Sequence, residues 1–110
     1  MKIVYTKKFE EMYSTNPIES PGRVALAVSE LRDYEFVEPI PASLIDIRRV
    51  HGNEHIERVR KRGMFNAACL SAGGAICAAE LALSGEPAFA LIRPPGHHAS
   101  ANRAWGLCFF

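Results

Sequence analysis

The stretch that limits the possible folds most is an apolar run, Ala88 to Ile92, that breaks at Arg93-Pro94-Pro95-Gly96 and delivers two adjacent histidines, His97 and His98. An unbroken apolar run of this length suits a strand at the centre of a parallel sheet, covered on both faces. Pro94 and Pro95 fix φ, and Pro94 keeps Arg93 out of helical conformation, so the strand must end there. Gly96 then permits a sharp turn. Catalytic groups in open α/β sheets collect at the carboxyl ends of strands, which is where His97 and His98 fall. Neighbouring side chains on irregular backbone point different ways, so each imidazole can find a separate partner around one cavity. Imidazoles that titrate near neutrality are suited to moving protons. A histidine pair in a loop is most often simply exposed, however, and the pair alone does not establish a site.

The segments before it alternate in the manner of an α/β chain. Lys2 to Thr6 is short, β-branched and aromatic, and predicts a first buried strand. Lys7 to Asn16 reads as a polar loop. Ser20 before Pro21 predicts an N-cap with proline at the first helical position, and Val24, Ala27, Val28 and Leu31 form one apolar face. Glu35 to Glu38 is a second strand, ended by Pro39 and Pro41. Ser43 and Asp46 have capping-box spacing, with Leu44, Ile47 and Val50 on the buried side of the helix they open. Gly52 and Asn53 stop that helix and start another, so His51 and His55 belong to different elements and do not form a helical metal-ligand pair. Arg58, Arg60, Lys61 and Arg62 sit in the last turn of the next helix, where the macrodipole favours cations. Met64 to Ser84 is alanine-rich and nearly all apolar, a buried helix whose Gly73-Gly74 pair and other small residues let it lie close to a sheet. Its length approaches a membrane span, but Asn66, Ser71, Glu80 and the glycine pair oppose lipid exposure. Gly85 closes it. Gly106 to Phe110 begins a further buried strand.

Composition excludes several classes. A formal net charge of +1 supplies no field for nucleic acid or an anionic membrane, and 48% hydrophobic with 23% charged residues is ordinary for a globular domain. The three cysteines, Cys69, Cys77 and Cys108, have no disulfide-framework spacing, and no signal peptide precedes the first strand. Reduced thiols in a cytoplasmic protein are the simplest expectation. There is no repeat or linker, so residues 1–110 read as one unit.

The string from Ala90 through Phe110, with its Arg-Pro-Pro-Gly-His-His-Ala loop and following Gly-Leu-Cys segment, resembles the zinc-dependent histone deacetylase superfamily. That superfamily includes acetylpolyamine amidohydrolases and acetoin-utilisation proteins. The match is strong from Ala90 onward and weak before it, apart from Val50-His51 and Glu54 to Val59. The resemblance implies an α/β, arginase-like three-layer fold with a mostly parallel sheet, of which this chain would be the N-terminal part. It implies hydrolysis of an acetyl amide, on acetylated lysine, a polyamine or a related molecule, with zinc polarising the carbonyl and paired histidines shuttling protons.

By position in that motif, His98 would be the general base and later acid, and His97 its electrostatic and relay partner. Gly106 would offer a backbone carbonyl to the substrate amide. Leu107, where the family usually has an aromatic, would wall the acyl tunnel. Zn2+ belongs to the complete family domain, and its ligands are not matched in this chain. Asp33 and Asp46 fall on surface turns or helix starts and are not assigned to metal. Two rival readings remain. The chain could be a non-catalytic piece or interaction subunit that self-associates, or needs a complementing chain, through an apolar terminal strand. A cysteine hydrolase using Cys108 with His97 or His98 is the other, opposed by a thiol placed inside an apolar strand.

Overall fold

The computed structural model describes residues 1–110. Strands β1 (Lys2–Val4), β2 (Glu35–Val37) and β3 (Ala88–Ala90) form a parallel sheet in the order β2-β1-β3. Ile3 pairs with Phe36 on one side and Phe89 on the other. Helix α1 (Gly22–Glu30) crosses from β1 to β2, while α2 (Leu44–Arg48), α3 (Asn53–Lys61) and α4 (Phe65–Leu83) lie between β2 and β3. Parallel neighbours need such long crossovers, and these supply the helices that cover the sheet.

Helix α4 is the main packing element and lies against β1, β3 and α3. Its glycines set the distance. A Cβ on Gly73 would overlap the main chain of Ile40 to Ala42, and one on Gly74 would overlap Ile92. That close crossing lets Ala42 N donate to the Cys69 carbonyl at 2.8 Å. Ala42, Ile47, Ile56 and Cys69 pack into one cluster, and Phe9, Val24 and Leu70 into a second. Burial of Cys69 pushes its thiol above the ordinary range. The Cys69, Cys77 and Cys108 thiols are all free.

Several expectations hold in detail. Ser43 and Asp46 make a reciprocal capping box, in which Asp46 N donates to Ser43 Oγ and Ser43 N to the Asp46 carboxylate, each at 3.1 Å. Bonds from Ser43 also hold the Asp46 carboxyl below its ordinary range. Gly85, at φ +92°, follows α4 in a conformation glycine adopts cheaply.

Others are corrected. Ser20 makes no side-chain cap on α1; Pro21 is already helical, and the capping oxygen lies upstream, where Asn16 receives Ile18 N at the short 3-10 turn Pro17–Glu19. The Lys7 to Asn16 loop contains another such turn, Lys7–Glu10, which buries Phe9. Helix α2 stops before Val50, which is 62% exposed. Only the first half of α4 is buried, and Leu83 near its end is 89% exposed. Strand β3 is an edge strand here rather than a central one, with Phe89 49% exposed. Gly106 to Phe110 forms no strand, because no ladder neighbour runs beside it. Its main-chain amides make instead one turn bond, Cys108 N to Trp105 O, and one isolated bond, Phe109 N to Pro95 O.

Candidate active site

Beyond β3 no regular structure holds the chain, and the loop from Arg93 to His98 is shaped by groups reaching it from distant segments. Arg93 is 6% exposed, and its guanidinium donates to the Phe9 carbonyl at 2.6 Å, to the Glu19 carbonyl and to the Glu19 carboxylate at 3.2 Å. It also packs over the Tyr13 ring. Glu19, equally buried, accepts from the Tyr13 hydroxyl and lies 3.5 Å from Arg23. Ions survive burial only when paired and hydrogen-bonded, and these two are. Burial, and then the bond to Glu19, push the Tyr13 hydroxyl well above its usual range. Farther along, the Arg93–Pro94 peptide is cis, and Ser71 of α4 donates to the Pro94 carbonyl at 2.7 Å.

Gly96 does not serve a left-handed turn. A Cβ there would overlap the Phe110 carbonyl, so its hydrogen lets the terminal segment pass directly beneath the loop. That approach brings residues 105–108 opposite the histidines. Gly106 supplies the left-handed backbone, at φ +58°.

The result is an open groove of about 350 Å³ bordered by His97, His98, Trp105, Gly106, Leu107 and Cys108, with Glu19 at one side. All four residues singled out by the motif, His97, His98, Gly106 and Leu107, line it. The two imidazoles do not diverge to separate partners. Their rings meet edge to face with centroids 4.3 Å apart, and both side chains are exposed. Cys108 is 2% exposed; its sulfur lies 3.9 Å from His97 Nδ1 and accepts from His98 N at 3.4 Å. The thiol thus has an imidazole neighbour, but its burial makes it a wall of the groove rather than an accessible nucleophile.

His51 and His55 lie on separate elements, as the break at Gly52 requires, yet they converge. Their ring centroids are 5.1 Å apart, and both are buried against Phe110. Nowhere do three or more His, Cys, Asp or Glu side chains gather as a metal site would need. The residues present therefore do not fit the zinc site that the motif implies.

Sequence reasoning missed Arg93, Glu19 and Tyr13 as the frame of the loop, and Trp105 as a groove wall. Glu19 and Arg93 are 74 positions apart, beyond any spacing rule. The one available sign was an arginine at the end of an apolar strand, a place where an unpaired charge is costly.

Comparison with known proteins follows the same lines. The histone deacetylase domain model matches residues 17–110. A probable deacetylase of Methanothermobacter thermautotrophicus is 33% identical over 130 aligned residues, covering 100% of this chain and 39% of that protein. A probable deacetylase of Archaeoglobus fulgidus is 36% identical over 134 aligned residues, covering 97% and 37%. The crystal structure of the HDA15 HD domain superposes with a TM-score of 0.84 at 21% identity, covering 99% of this chain and 40% of that one, a likeness of fold. The chain thus spans about two fifths of the length of these relatives.

Proposed function

The chain belongs to the histone deacetylase family and corresponds to the N-terminal portion of its domain, and from that premise we propose that the groove is the acyl-amide side of a deacetylase site. The observation that carries the proposal is the gathering of His97, His98, Gly106 and Leu107 around one groove. Its substrate class is an acetylated lysine, an acetylpolyamine or a related acetyl amide.

In this reading His98 accepts a proton as water bonds to the acetyl carbon, and the same proton passes to the amine nitrogen as the C–N bond breaks, leaving acetate and the free amine. His97, with its ring beside His98, stabilises the charge and relays protons. The Gly106 carbonyl accepts the substrate amide N–H, which fixes the acyl group relative to the imidazoles. Leu107 lies against the methylene stem. Family membership implies a metal in general; this chain's residues do not assemble a site for one, and its ligands would belong to the remainder of a complete site.

The test is acetate release from an acetyl-lysine peptide and from N-acetylputrescine. The enzyme would be a hybrid in which these 110 residues replace the matching part of the Methanothermobacter relative. Release dependent on the groove residues supports the proposal. A folded, metal-loaded hybrid that releases no acetate from either substrate overturns it.

A specific observation also favours self-association through a sheet edge. Strand β3 has one free edge, and Phe89 and Leu91 border an apolar depression with Met1, Ala27 and Leu31. An open edge beside apolar surface invites pairing. Sedimentation at several concentrations should show mass rising with concentration, and a monomer throughout would remove this reading.

A further inference from the structure

We infer that His51 and His55 are positioning residues that hold the groove-lining segment 100–109 from behind and make its placement depend on pH. The inference rests on the proposed function only in that the latter gives the groove a substrate. His51 Nδ1 lies 2.9 Å from the Ser100 carbonyl, and His55 Nε2 lies 2.7 Å from the Phe109 carbonyl. A carbonyl oxygen only accepts, so each of these nitrogens carries its hydrogen and donates, which fixes both tautomers. Between them, Gly52 N donates to the Ala101 carbonyl at 2.9 Å and the Arg58 guanidinium to the Asn102 carbonyl. Residues 51–58 thus grip four carbonyls of a segment that has no helix or strand of its own. Trp105, Gly106, Leu107 and Cys108 lie inside that span and form one wall of the groove.

The same two rings are where a proton would enter. They are 7% and 3% exposed, stand 5.1 Å apart and share contact with the Phe110 ring. The ionisable groups beside His55 are Arg58 from α3, Arg62 just after it, and Arg103 and Cys108 from the segment, while Cys69 from α4 lies in the cluster that Phe110 joins. Helix α2 contributes apolar Ile47. No carboxylate borders the pocket behind His55. A second proton on His51 therefore meets burial and the facing His55 ring. In accord with this, burial holds His51 below its ordinary value of 6.5; the Ser100 bond opposes that shift and the facing His55 adds to it. A depressed folded-state value means that the His51 part of the grip is fully present above pH 6.5 and is lost as pH falls through the lower value.

The experiment follows the backbone amides of residues 100–109, the Trp105 indole and the imidazole nitrogens by 1H–15N NMR of the 110-residue chain as pH is lowered. The segment should move in one step, with a midpoint below 6.5 shared with His51. The double variant His51→Asn, His55→Gln keeps a donor near each position and does not titrate. It should keep the neutral-pH spectrum of the segment and lose the step. A step that persists in this variant overturns the inference, because His97, His98 or another group then causes it. So does a wild-type segment that stays still while both buried imidazoles titrate, a result that needs no variant to fold. No activity enters the measurement, so failure of the deacetylase proposal and failure of this one give different results.

Discussion

The chain carries two histidine pairs, and their environments are opposite. His97 and His98 are exposed, edge to face, in an open groove. His51 and His55 are buried, and each donates to a main-chain carbonyl. The residue type is the same, but a ring tied to a carbonyl inside the protein serves as a tether. A ring facing solvent in an open groove is accessible to a bound molecule. The pairs are also joined mechanically. The segment held by the buried pair passes beneath the loop that carries the exposed pair, with Gly96 against the Phe110 carbonyl.

The loop that carries the exposed pair is the most sensitive point. Replacing Arg93 with Ala leaves Glu19 buried with the Tyr13 hydroxyl and a single cation, Arg23 at 3.5 Å, and should cost about 3–5 kcal/mol of stability, as removal of one partner of a buried ion pair does. Urea denaturation checks it, and a loss under about 1 kcal/mol would mean that the exposed pair's loop is held by something else.

A matched substitution sharpens the contrast. His55→Leu strips the Phe109 carbonyl of its buried donor and should cost roughly 1–3 kcal/mol, whereas His98→Leu should stay within about 0.5 kcal/mol. Equal losses from the two would erase the distinction between tether and free group.

The smallest effect belongs to the groove wall. In the hybrid enzyme, Leu107→Phe should lower KM for an acetyl-lysine peptide by roughly two- to tenfold, the range that about 0.5–1.5 kcal/mol of aromatic packing gives, with kcat nearly unchanged. A change confined to kcat would place residue 107 somewhere other than along the substrate stem.

What could be read in advance follows from the range of the interactions. The β1, β2 and β3 segments, the capping box at Ser43 and the close-packed face of α4 are set by neighbours a few residues apart, so alternation and spacing expose them. The histidine loop was legible as a motif. Its support was not, because Glu19, Tyr13 and Ser71 reach it from distant parts of the chain. The terminal Gly106 to Phe110 run looks like a strand by composition, but strand formation depends on a neighbour that composition does not reveal. Likewise the break at Gly52 separates His51 from His55 along the chain, and only the folded turn brings their rings together.

Turnover and thermal stability of the hybrid enzyme carrying His98→Ala, measured side by side at matched metal content, decide whether the exposed pair carries the chemistry. Acetate release should fall by about two to four orders of magnitude, the usual contribution of a positioned acid–base group, while the melting temperature stays where it was. Near-normal acetate release from the folded variant would remove His98 from the chemistry.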